Sequence, residues 1–128
     1  MATAPEVSPC ISLIVRVDLG PHGRLGPGKI LLLERIAETG SISAAARTMN
    51  MSYRQAWDLV DQLNRAFDDP VVTSQTGGKS GGGAALTDFG RNLIELYRDL
   101  VERARQAAEP NVSAMQVKLR PASEAEGV

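Results

Sequence analysis

Two side chains that can read DNA bases, Arg54 and Gln55, stand near the start of a segment with helical spacing. In the major groove, arginine can donate two hydrogen bonds to O6 and N7 of guanine, and glutamine can pair with N6 and N7 of adenine. Ser52 can cap this helix through its hydroxyl, and Gln55 completes a Ser-x-x-Gln capping box. Asp58 lies on the same exposed part of the helix. The pattern indicates a base-reading surface, and its alternative is an ordinary solvated helix face.

The residue types argue against several other chemistries. The stretch at 77–80 suggests a phosphate-binding P-loop, but the first glycine that this motif requires falls on Thr73. Cys10 and His22 are the single cysteine and histidine, so neither an intramolecular disulfide nor a cysteine-rich metal site is expected. No stretch brings together a nucleophile, a base and an orienting group. We therefore predict a protein that is not an enzyme and that needs no metal or cofactor.

Residues 39–67 predict two helices joined by a tight turn. The first helix begins at Ser41 or Ser43, either of which can cap it, and it contains three consecutive alanines. Asn50 in the turn tolerates a left-handed backbone. On the second helix, apolar residues recur at helical spacing and are expected to be buried: Tyr53, Ala56, Trp57, Val60, Leu63 and Phe67. This pattern is typical of a DNA-binding helix-turn-helix and also of an ordinary α-hairpin.

Two further elements are predicted before the helix pair. The β-branched residues at 10–17 predict a short strand. The sequence leaves two places open for it, an interface with a second copy of the chain or a pairing with the hairpin predicted at 70–86. Glycines and prolines at 19–27 predict turns. The apolar pattern at 28–38 predicts an amphipathic helix that Gly40 ends. We expect this helix to pack on the pair and complete a three-helix cluster.

Residues 70–86 predict a β-hairpin with a glycine-rich tip. A hairpin directly after a helix-turn-helix is called a wing. Its tip can bring backbone N–H groups and Lys79 close to a phosphate or into the minor groove. The alternative is a mobile loop without a partner.

Residues 87–108 predict a long helix that Thr87 caps and that carries a continuous apolar stripe. Little protein remains to cover the stripe from Leu96 onward. A stripe that projects beyond its own core is best buried against a second copy, so we predict a two-fold homodimer. The residues expected at this interface are Leu93, Leu96, Tyr97, Leu100, Val101 and Ala104.

The length of 128 residues fits one domain at 10–108, with flexible tails at 1–9 and 109–128. The expected fold is mainly α with a small β-hairpin: a winged helix-turn-helix with a long C-terminal dimerisation helix. No signal peptide or membrane span is recognisable, so a cytoplasmic location is expected.

The net charge of −1 argues against a strongly basic nucleic-acid binder. The distribution of charge still allows a local positive face at the helix pair and the wing. The cations in or near that face are Arg47, Arg54, Arg65 and Lys79.

A resemblance to a known family rests on two segments, TGSISAAARTMNMSYRQAWDLVDQLN and TGGKSGGGAALTDFGRNLIELY. They are similar to the N-terminal DNA-binding domain of the ModE family of molybdate-dependent transcriptional regulators. The stretch SISAAA alone also fits the LysR family, but the context of Trp57 and the TGGK wing favour ModE. Ser80 stands where the family usually has glycine.

The resemblance implies a winged helix-turn-helix dimer that binds a palindromic operator in double-stranded DNA, typically of molybdate-transport or molybdenum-enzyme genes. The residues predicted to contact DNA are Ser43, Arg47, Ser52, Tyr53, Arg54, Gln55, Asp58, Thr76, Gly77, Gly78 and Lys79. Because the chain ends about twenty residues after the predicted helix, we expect no molybdate site in it. Either a separate effector-sensing protein responds to the effector, or the chain binds DNA constitutively, or it responds to another signal. The alternative function is a helical dimerisation or adaptor module that binds a protein partner.

Overall fold

The computed structural model describes residues 11–75 and 83–121. The elements in chain order are strands β1 (Val17–Asp18) and β2 (Arg24–Leu25), helices α1 (Pro27–Thr39), α2 (Ile42–Thr48) and α3 (Tyr53–Ala66), strands β3 (Val72–Gln75) and β4 (Gly83–Leu86), and helix α4 (Asp88–Lys118). A short 3-10 turn at Gly20–His22 joins β1 to β2, and His22 is exposed there. The predicted fold class is confirmed: three helices and a small hairpin form a winged helix-turn-helix, followed by a long helix.

Helix α1 lies at the centre of the core. Leu32, Leu33 and Ile36 are completely buried on its inner face, as the apolar spacing predicted. Gly40 ends the helix in the left-handed conformation, with φ of 74°, and its N–H donates to the carbonyl of Ile36. The closest neighbours of α1 are α2, β4 and α4, while α3 packs mainly against α2.

The predicted helix-turn-helix is formed by α2 and α3. Ser41, and not Ser43, caps α2, since its Oγ accepts a hydrogen bond of 3.0 Å from the N–H of Ala44. Asn50 turns the chain with φ of 57°. Ser52 then caps α3 by accepting a 3.0 Å bond from the N–H of Gln55. Local capping chemistry thus fixes where both helices begin.

Strands β3 and β4 form the predicted wing. They pair antiparallel, with Val72 opposite Leu86 and Gln75 opposite Gly83. Val71, Val72 and Leu86 are buried against the helices. The predicted contacts at the tip, Thr76, Gly77, Gly78 and Lys79, lie outside the described residues.

Helix α4 is longer than predicted. Thr87 caps it as expected, but the helix continues through Pro110 to Lys118, so the prediction of a loose tail was wrong for residues 109–118. A proline removes one backbone donor from a helix. Contacts of the last turns with the N-terminal segment accompany this continuation: the N–H of Ile11 donates to Oε1 of Gln116 at 3.0 Å.

The N-terminal segment is mostly extended chain and not a strand. Of the predicted strand at 10–17, only Val17 is in β1, which pairs with β2 and not with the wing. Residues 11–16 run beside α4, where the hydroxyl of Tyr97 donates to the carbonyl of Val15 at 2.6 Å. Cys10 lies outside the described residues.

Two residues assigned to a dimer interface belong to the core of the protomer. Leu93 and Tyr97 are only 5% and 8% exposed, because they face α1 and the N-terminal segment. This burial argues against their predicted contact with a second copy. Leu96 and Leu100 on the neighbouring side of α4 are 55% and 39% exposed, while Val101 and Ala104 are half-buried.

Candidate nucleic-acid interface

The surface of α3 has four sides, which follow from the 100° rotation between successive helical residues. One side, formed by Ala56, Val60 and Leu63, is buried on the core. The opposite side carries Arg54, Asp58, Asp61 and Arg65, and we call it the crest. The two flanks between them face the wing on one side and the β1–β2 hairpin on the other.

The crest carries charges that form ion pairs along the helix. Nε of Arg54 lies 3.3 Å from Oδ1 of Asp58, and Nε of Arg65 lies 2.9 Å from Oδ2 of Asp61. The Arg54 side chain is 82% exposed. Exposed pairs of this spacing contribute only about 0.3–0.5 kcal/mol, so Arg54 can leave Asp58 for a base or phosphate at little cost. Asp58 thus holds the arginine beside the N-terminal turns of α3.

The other predicted contacts on the helix pair are accessible. Ser52 and Gln55 are exposed at the first turn of α3, and Arg47 is exposed in the last turn of α2. Arg47 takes part in no ion pair among the described residues. Ser43 is half-buried, with its Oγ 3.3 Å from that of Ser41.

The wing-side flank of α3 exposes two large aromatic side chains. Tyr53 and Trp57 are 53% and 42% exposed, so their assignment to the buried stripe was wrong. They lie at the edge of the apolar face, where neither α2 nor the wing covers them. Both line a cleft of about 390 Å³ whose other lining residues are Ser41, Ile42, Ser43, Ser74, Gln75, Gly83 and Ala84.

Trp57 was not predicted as a contact, but it belongs to the same surface as Tyr53. An exposed indole can stack on a sugar or contact a thymine methyl group, while the nearby hydroxyl and amide groups can donate to phosphate. The signal that could have identified it is its position four residues after Tyr53, on the same flank of the helix.

The wing is held against α3 by Asn64, a residue that the sequence analysis did not single out. Its Oδ1 accepts hydrogen bonds from the N–H groups of Val71 and Val72, at 2.7 and 3.1 Å, and its Nδ2 donates to the carbonyl of Val72. The start of α4 fixes the other side, since the N–H of Thr87 donates to the carbonyl of Val71 at 3.0 Å. The wing and α3 are therefore joined as one rigid unit at their base.

Comparison with protein families identifies the family in which this architecture occurs. The family model of bacterial regulatory helix-turn-helix proteins, lysR family, matches residues 28–91, which include α1, the helix-turn-helix and the wing. This chain belongs to the lysR family. The match covers half of the sequence, and it ends in the first turn of α4.

Curated relatives of this lysR-family chain share the same region. It is 51% identical over 74 residues to the molybdenum-pterin-binding protein MopB of Rhodobacter capsulatus, and this alignment covers 58% of the chain and 27% of the relative. Over 82 residues it is 45% identical to the DNA-binding transcriptional dual regulator ModE of Escherichia coli K12, covering 64% of the chain and 31% of the relative. MopA of Rhodobacter capsulatus, also named a molybdenum-pterin-binding protein, is 40% identical over 107 residues, and this alignment covers 80% of the chain and 40% of the relative.

The resemblance to the N-terminal domain of ModE regulators is thereby confirmed. The lysR-family chain spans between 27% and 40% of the length of these relatives. Within the described residues, no group of three histidine, cysteine or acidic side chains is placed to hold a metal ion. None of the helices in the described part of the chain has both the length and the hydrophobicity that a membrane span requires.

Proposed function

We propose that this chain binds DNA sequence-specifically as the recognition domain of a ModE-type transcriptional regulator, acting in the cytoplasm on genes of molybdenum transport or metabolism. The observation that supports this most directly is the exposed N-terminal half of α3, which presents Arg54 and Gln55 to solvent. The names of the relatives, which include a transcriptional regulator ModE and a molybdenum transport protein ModE, supply the biological context.

Five of the predicted contacts on the helix pair divide into two roles in this proposal. Arg54 and Gln55 read base edges in the major groove, where their planar groups can form two hydrogen bonds each. Ser52 and Tyr53 hold a phosphate or sugar, and Arg47 adds a contact with the backbone. Contacts with base edges specify the sequence, while contacts with phosphate and sugar set the affinity and the register on the duplex.

The first test is selection of bound fragments from a pool of genomic DNA at about physiological salt, with and without molybdate. Enrichment of a palindrome near molybdenum-related genes is the expected result. Binding that is equal with and without molybdate would place effector sensing outside this chain. Failure to retain any DNA at low salt would overturn the proposal and favour a protein-binding module.

Base reading by Arg54 is tested on a selected fragment and on a random duplex of equal length. Arg54→Ala should weaken binding to the selected fragment by about 1–3 kcal/mol, with a smaller effect on the random duplex. Arg65→Ala is the matched control, because it removes the same kind of ion pair from the same crest about 16 Å further along the helix. An equal loss on both duplexes for Arg54→Ala would exclude base reading.

A two-fold homodimer through α4 completes the proposal, because a palindrome requires two copies of α3. Its support is the exposed apolar pair Leu96 and Leu100, which continues the helix face beyond the core of the protomer. Leu100→Glu with Ala104→Glu should convert the dimer to a monomer in light scattering. Gln106→Glu, a substitution on another side of α4, should leave the mass unchanged. A dimer that survives the double substitution would exclude this interface.

A further inference from the structure

The flank of α3 that faces away from the wing borders a cleft of about 320 Å³. Leu59 marks this flank, since it lies about 200° around the helix from Trp57. Met51, the residue before the cap of α3, forms part of the same cleft, so the cleft adjoins the N-terminal half of the recognition helix. We call it the basic cleft, and its complete lining is Arg16, Arg24, Gly26, Gly28, Lys29, Met51 and Leu59.

The basic cleft contains three cations and no carboxylate. Arg16, Arg24 and Lys29 take part in none of the ion pairs found among the described residues. The arginines of the crest, in contrast, are each paired with an aspartate. Apart from Arg47 at the end of α2, the unpaired cations that the structure describes around α3 therefore lie on this flank.

Packing within the protomer brings the three cations together. Nζ of Lys29 donates to Oε1 of Gln62 on α3 at 2.6 Å, which fixes the lysine against the recognition helix. The aliphatic part of Arg16 passes over Gly26, where an added Cβ would lie 2.8 Å from its Cγ. Arg16 and Arg24 stand on either side of the turn between β1 and β2, and both are exposed.

We propose that the basic cleft binds the phosphodiester backbone of duplex DNA on the side of α3 away from the wing. This inference rests on the proposed function, because it places α3 in the major groove. A helix about 10–12 Å across fills a groove about 12 Å wide, so its two flanks face the two backbones. The described part of the wing side offers neutral hydroxyl and amide groups, whereas the basic cleft offers charge. Most of the salt dependence contributed by the described surface therefore comes from this cleft.

The test compares two double variants on one random-sequence duplex of about 40 base pairs, with affinity measured as a function of salt. Arg16→Gln with Arg24→Gln removes two exposed charges from the cleft and leaves the half-buried Lys29 in place. Arg105→Gln with Arg120→Gln removes the same net charge from exposed positions in and just after α4. Circular dichroism and light scattering establish that both variants keep the fold and the assembly of the unmodified chain.

The cleft variant should flatten the plot of log affinity against log salt by about 0.9 for each lost contact, or about 1.8 in total per protomer. Between about 50 and 200 mM salt, the unmodified chain should then lose about twelvefold more affinity than the variant for each protomer that contacts the duplex, or about 150-fold more for a dimer with both protomers bound. The α4 control should keep the original slope.

The outcomes distinguish a failure of DNA binding itself from a failure of the basic cleft as a phosphate-binding site. If the unmodified chain does not bind the duplex at low salt, DNA binding itself is wrong. If it binds and the cleft variant keeps the original slope, only the basic cleft is wrong. A control variant that flattens the slope as much as the cleft variant would show a general effect of net charge and would also overturn the cleft.

Discussion

Asn64 should be the most sensitive polar residue of the recognition surface, because one side chain joins α3 to the wing through three hydrogen bonds. Asn64→Ala leaves two backbone N–H groups, those of the buried Val71 and Val72, without their acceptor. An unsatisfied buried donor costs about 1–3 kcal/mol, so the two together should cost about 2–6 kcal/mol. The higher helix propensity of alanine returns at most about 0.7 kcal/mol.

Asn92→Ala is the matched control for this substitution. Asn92 is exposed within α4, so the exchange gives the same gain in helix propensity without removing a buried contact. Asn64→Asp should fall between the two, because a carboxylate keeps acceptors for both N–H groups but loses the donor to the carbonyl of Val72.

Urea unfolding followed by far-UV circular dichroism gives the free energies. The midpoint should fall for Asn64→Ala while the slope m stays constant, since the surface exposed on unfolding does not change. If Asn64→Ala and Asn92→Ala unfold at the same urea concentration, the three bonds do not hold the wing, and the rigid base described for the interface is wrong.

Two further predictions concern α1 and α4. Gly90→Ala should lower the free energy of unfolding by about 1–3 kcal/mol in urea, since its Cβ would clash with the carbonyl oxygen of Val71. Gly28→Ala, which has nothing within 4 Å, should raise it by about 0.4–1 kcal/mol, and changes of the same sign would contradict this reading. Burial raises the pKa of Tyr97 above its ordinary value of 10.0. Above pH 10 the unfolded chain therefore loses this proton while the folded chain keeps it, so the free energy of unfolding falls as the pH rises further. Tyr97→Phe should lose about 0.5–1.5 kcal/mol at neutral pH and abolish its share of this alkaline decline, which urea unfolding between about pH 8 and 11 would reveal.

Local signals in the sequence were sufficient for the helix boundaries around the recognition surface. Ser41 and Ser52 cap their helices through atoms only three residues away, and Gly40 and Asn50 supply the left-handed backbone that the turns require. Such features depend on neighbouring residues alone, so they can be predicted without knowledge of the tertiary structure.

Exposure at the edge of a helix face could not be predicted in this way. Tyr53 and Trp57 satisfy helical spacing, but whether an edge position is buried depends on how far the next element extends over it. The same limit applies to Asn64, whose partners are seven and eight residues away, and to the basic cleft, which three separate segments form.

The N-terminal segment connects distant parts of the molecule mechanically. At one end Ile11 is hydrogen-bonded to Gln116 in the last turns of α4. Val15 is hydrogen-bonded to Tyr97, which lies about 28 Å nearer the start of that helix. The next residue is Arg16, which lines the basic cleft. We therefore expect a displacement of the last turns of α4 to pull on the segment that carries Arg16, and so to reach the cleft beside α3.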